Sequence, residues 1–129
     1  MRLWMLAVLC ASAAAAETPM SPEAFDAWSR GKTLDYALGG QILGSEAYGP
    51  DRKVRDADTG GPCIDGSWFA RGDEVCFVYD GREGEHCWRF WRDGDRVLAR
   101  PATADPAGHP QVVTVSPEPL ACAGPDVGV

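Results

Sequence analysis

From Lys32 onward the chain is divided into short runs, each ended by Gly, Pro or Asp. That spacing predicts an antiparallel β meander, because antiparallel neighbours can be joined by turns of only two residues. Candidate strands lie at 32–37, 42–48, 53–57, 65–70, 75–80, 86–92, 96–100 and 111–116. Gly72-Asp73 and Asp93-Gly94 suit two-residue turns, while Gly39-Gly40 and Gly49-Pro50-Asp51 mark looser reversals.

These turns set the registers. Gly72-Asp73 pairs Arg71 with Glu74, Phe69 with Cys76 and Trp68 with Phe77; Asp93-Gly94 pairs Arg92 with Asp95, Phe90 with Val97 and Trp88 with Ala99. A turn centred on Gly81-Arg82 sets Cys76 opposite Cys87 and Phe77 opposite His86. Trp68, Val75, Phe77, Tyr79, Trp88, Phe90 and Val97 then share one face, the expected core. Phe69, Cys76, Val78, Cys87, Arg89, Trp91 and Leu98 share the other, a mixed face expected to lie partly under a helix or the C-terminal tail.

Upstream, Ser21-Pro22-Glu23 has the signature of a helix start: an N-cap, a proline whose missing N–H costs nothing there, and an acid near the positive end of the dipole. Gly31 is the stop, and Phe25 and Trp28 fall on the stripe that packs on the core. The expected fold is mainly β: a short N-terminal helix and an antiparallel meander of six to eight strands. It forms either a small calycin-like barrel or a twisted open sheet.

The first 16 residues have one positive charge, an apolar run and small residues ending in an Ala-x-Ala site, the pattern of a signal peptide cleaved before Glu17. Cleavage removes Arg2, leaving 11 positive against 19 negative charges and moving the formal net charge from −7 to −8. The basic residues form no basic stripe, so nucleic acid is not an expected partner, and no membrane span is expected after cleavage. Loss of Cys10 leaves Cys63, Cys76, Cys87 and Cys122, with three possible connectivities. In an oxidising compartment two disulfides are expected, and the sheet register favours Cys76–Cys87, leaving Cys63 for Cys122. The chain-entropy model assigns roughly 3 kcal/mol to the short loop and roughly 4 kcal/mol to the long one. With 129 residues the chain holds one domain. Residues 17–100 are read as the helix plus β domain, and 101–129 as a Pro-rich extended tail stapled to it, with Val112-Val113-Thr114-Val115 as a possible edge strand.

No catalytic or metal site is expected, and no cofactor. Asp56-Ala-Asp58-Thr-Gly60 has the carboxylate spacing of a calcium loop, but Ser67 stands where its twelfth-position glutamate belongs, so these read as turn residues. His86 and His109 have no nucleophile signature beside them. The pairs Asp93 and Asp95, and Asp80 and Glu83, sit in turns without an apolar pocket to raise a pKa. Arg71-Gly72-Asp73 is explained by its hairpin.

Gly31-Lys32-Thr33-Leu34, Glu46-Ala47-Tyr48-Gly49-Pro50-Asp51-Arg52 and Cys63-Ile64-Asp65-Gly66-Ser67-Trp68 continue into Cys76-Phe77 and Cys87-Trp88-Arg89-Phe90. Over about residues 21–100 this resembles a family of small secreted bacterial proteins of unknown function. The resemblance implies a periplasmic β domain in a Gram-negative cell and carries no catalytic residue. The expected function is a non-enzymatic binding module, secreted or periplasmic, for a small apolar ligand or an envelope protein. Trp68, Phe77, Trp88 and Phe90 are the candidate ligand-binding residues. The alternative is an inhibitor of a secreted or envelope hydrolase, presenting the loop from Asp80 to Glu85.

Overall fold

The computed structural model describes residues 17–123; the expected signal peptide, 1–16, and the end of the expected tail, 124–129, lie outside the described residues. One helix, α1 (Pro22–Ser29), precedes β1 (Thr33–Leu38), β2 (Gln41–Tyr48), β3 (Lys53–Asp58), β4 (Ile64–Arg71), β5 (Glu74–Tyr79), β6 (His86–Asp93), β7 (Arg96–Pro101) and β8 (Gln111–Val115). Each strand pairs antiparallel with the next, and β8 returns to pair with β1, so the meander is a closed barrel of eight strands. Of the two architectures the sequence permits, closure removes both sheet edges.

β8 is therefore neither edge strand nor tail. It bonds to β7 through Val97↔Val113 and to β1 through Tyr36↔Val113, extending the β domain to Val115. Pro110 and Pro117 flank it rather than interrupt it, so no ladder donor is lost. The β4–β5 and β5–β6 registers are those read from the turns, with Trp68↔Phe77, Cys76↔Cys87 and Phe77↔His86. The β6–β7 register differs: the turn is Gly94-Asp95, giving Asp93↔Arg96, Phe90↔Ala99 and Trp88↔Pro101. Gly94 has φ 62° and stands first in its turn, as Gly72 with φ 59° stands first in Gly72-Asp73. The register shift is two residues, so each side chain keeps its expected face.

Helix α1 is capped by the Ser21 hydroxyl, which accepts from the Ala24 N–H at 3.1 Å, and is followed by Gly31 at φ 78°. It plugs the end of the barrel where β2, β4 and β6 finish. Phe25, fully buried, sits 4.3 Å from the Phe90 ring and meets Tyr48 and Trp68 edge-on at 5.6 and 5.5 Å. Below the plug the core is solid, with Leu34, Val54, Val75, Val97 and Val113 buried around the ring.

On the outer face, Cys76, Trp91 and Leu98 are buried. Trp91 is covered by the segment before α1: Pro19 bridges to it, and Arg100, paired with Glu17 at 2.9 Å, lies 5.0 Å over its ring. The expected cover was the helix or the tail, but α1 is committed to the barrel end. The two disulfides are Cys76–Cys87, across β5 and β6, and Cys63–Cys122, which ties the tail to the loop after β3. There the Ala123 N–H donates to the Gly61 carbonyl at 3.0 Å.

Candidate functional site

The end of the barrel opposite α1 is hollow. A cavity of 310 Å³ opens there between the ends of β1, β3, β5 and β7 and the starts of their partners. Period-two alternation aims Tyr36 of β1, Glu46 of β2, Asp56 and Asp58 of β3, and Phe77 and Tyr79 of β5 into it. Trp88 of β6 completes the aromatic wall, with its ring 6.2 Å from that of Tyr36; Phe77 and Tyr79 stack at 6.1 Å. A register shift between Tyr36 and Ala37 leaves Leu43 of β2 without a partner on β1, and Leu43 and Gly44 both reach the cavity.

At the floor lies a buried carboxyl. Glu46 is 2% exposed, and its oxygens accept from the Tyr48 hydroxyl at 2.5 Å and the Tyr79 hydroxyl at 2.6 Å. Tyr48 has only one proton to give, so the hydrogen bond between its hydroxyl and that of Tyr36 is donated by Tyr36. Burial pushes the Glu46 carboxyl up to about 8; the two tyrosine donors oppose the shift and the Asp56 carboxylate adds to it. Asp56 is the direct cross-strand partner of Glu46, a like-charge pairing that is unfavourable while both are ionised. Burial raises Asp56 as well, with a further push from Asp58 and opposition from Arg82. Tyr36, Tyr48 and Tyr79 are all raised, first by burial and next by the neighbouring Glu46.

The rim carries the positive charge. Arg82, in the loop between β5 and β6, reaches back to Asp56 at 3.8 Å and lies 5.6 Å over the Tyr79 ring. His86 stands beside the same ring at 5.9 Å. The structure thus divides the four aromatic candidates: Phe77 and Trp88 line the cavity, whereas Trp68 and Phe90 pack on Phe25 at the plugged end, with Arg52 4.3 Å over Trp68. Asp56 and Asp58 are not turn residues. Both lie in β3, opposite Glu46 and Gly44, and the turn begins at Thr59.

Sequence reasoning quoted Glu46 and Tyr48 only within a family-like motif and proposed none of Glu46, Tyr36 or Tyr48 as a site residue. The available signal was Gly44, Glu46 and Tyr48 at alternate positions of a strand whose last inward residue is aromatic. Among the described residues, Glu74, Cys76 and Cys87 bring metal-ligand atoms within 4.8 Å of one another, and the two sulfurs are spent in a disulfide. No helix among the described residues is long and apolar enough to cross a membrane. No protein-family model matches the chain, no curated protein matches it, and no solved structure matches it.

Proposed function

We propose that this protein is a non-enzymatic binding module, periplasmic or secreted, that holds a small ligand in the open mouth of its barrel. The observation that carries this reading is the contrast between the ends: one is plugged and solid around Phe25, the other keeps a 310 Å³ cavity walled by Phe77 and Trp88. That volume is at the lower limit of pockets that enclose small organic molecules. The apolar walls suit the apolar body expected of the ligand, and Glu46 asks for a polar group on it. Two disulfides are compatible with an oxidising compartment. In the Asp80 to Glu85 loop, the Arg82 side chain reaches Asp56 and the Tyr79 ring at the mouth and so engages the cavity rather than a partner's surface.

A ligand-detected NMR screen of aromatic amines, alcohols and acids tests the proposal. Hits that weaken tenfold or more in Trp88→Ala, and keep their affinity in Arg96→Ala at the far end, are the expected result. An absence of hits, or hits indifferent to Trp88, overturns it.

A further inference from the structure

We propose that the ligand is an organic cation, an ammonium group on a small apolar or aromatic body. This inference rests on the small-ligand reading above and assigns the ligand's charge.

Three features of the lining point the same way. The rings of Tyr36, Phe77, Tyr79 and Trp88 line the wall, and an aromatic face attracts a cation through its quadrupole. Three carboxyl groups face the cavity, Glu46, Asp56 and Asp58, against the single guanidinium of Arg82. That guanidinium is loosely held at 3.8 Å from Asp56, and Asp58 forms no ion pair among the described residues. The three carboxyl groups, on the adjacent strands β2 and β3, do not bring their ligand atoms within 4.8 Å of one another, which suits an organic cation with its own bulk over a bare metal ion.

Occupancy would also change the protonation of the floor. Glu46 faces Tyr36 from β1, Asp56 from β3 and Tyr79 from β5, with Tyr48 on its own strand and Arg82 and His86 at the rim. Without a ligand its carboxyl ionises only near 8, so at neutral pH it is mostly neutral. An ammonium group in the mouth stabilises the carboxylate, and the proton leaves for solvent as the cation enters. Affinity for a cation should then rise by up to about tenfold per pH unit as pH approaches about 8 and level off above it.

Isothermal titration calorimetry on the chain from Glu17 onward, with 2-phenylethylammonium, 2-phenylethanol and 3-phenylpropanoate as probes, separates the cases. The expected result at about pH 8 is that the ammonium binds at least tenfold more tightly than the alcohol, with the carboxylate weakest. Its affinity should climb with pH in the wild type, lose most of that slope in Glu46→Gln, and fall severalfold with the slope retained in Asp58→Asn. If the alcohol or the carboxylate binds as tightly as the ammonium, the charge assignment is wrong while the small-ligand reading stands. If ammonium affinity is flat with pH in the wild type, the coupling to Glu46 is wrong and the inference falls with it. If none of the three binds, both readings are overturned.

Discussion

Glu46→Gln should make the barrel more stable as the solution becomes more alkaline, relative to the wild type. In the folded protein the Glu46 carboxyl ionises near 8, against 4.5 for an ordinary glutamate. Below about pH 4.5 the folded and unfolded states both hold the proton, and the residue contributes no pH dependence. Between about 4.5 and 8 the unfolded chain releases it and the folded chain keeps it, so the folded state binds more protons and stability falls as pH rises. Above about 8 both states are ionised and the loss is complete. At about 1.4 kcal/mol per pH unit, the loss is roughly 3 kcal/mol by pH 7 and roughly 5 kcal/mol across the window. Glutamine cannot titrate, yet keeps the shape of the side chain among Tyr48 and Tyr79. Urea unfolding followed by tryptophan fluorescence at several pH values between about 5 and 8 measures the difference. Asp56 remains in both proteins, so to first order its own titration cancels from the comparison. A stability difference independent of pH, or one that moves in the wild type's favour as pH rises, would refute the assignment of a buried, proton-retaining Glu46.

Three further outcomes are expected. Phe25→Ala should cost about 3–5 kcal/mol in equilibrium unfolding, because a fully buried ring with four aromatic neighbours is deleted from the plug; a cost under about 1 kcal/mol would mean that the helix does not hold the end of the barrel. Gly66→Ala should lose about 1–3 kcal/mol, since its new Cβ would meet the Val78 carbonyl oxygen at 2.4 Å and the Tyr79 ring at 2.8 Å, while Gly49→Ala, at φ −92° with nothing nearer than 3.5 Å, should change the melting temperature little. Under limiting reductant, alkylation and mass mapping should find Cys63 and Cys122 modified before Cys76 and Cys87, because Cys76 is fully buried beneath the sheet surface; the reverse order would contradict that burial.

Most of the meander was legible because its turns are chemically explicit. Gly72-Asp73 sets Trp68 opposite Phe77, the turn centred on Gly81-Arg82 brings Cys76 opposite Cys87, and the two registers together send Trp68, Phe77 and Phe90 inward. Closure was less legible, since it depends on the pairing of β1 with β8, which no local turn encodes, and the prolines around 111–115 imitate an extended tail. The cavity floor was hidden for a different reason. An acid at an alternating strand position ordinarily marks the solvent face, and Glu46 reverses that rule because three tyrosine hydroxyls form a polar network inside the barrel. Asp56 and Asp58 carry high turn propensity, which yields to the backbone ladder with β2.

The ring also constrains when this protein can fold. β1 waits for a partner, β8, that lies nearly the whole length of the domain away in sequence, so the contact that completes the ladder closes a far larger loop than any hairpin of the barrel. Until Gln111–Val115 have left the ribosome, a nascent chain has two unsatisfied strand borders, Thr33–Leu38 and Arg96–Pro101, each ready to join the wrong neighbour. Cys122 lies only a few residues beyond the closing strand, so its bond to Cys63 can form only once that strand has also been made. Synthesis order alone therefore keeps the long bridge late, and a chain held unfolded until it is whole avoids its most exposed intermediate.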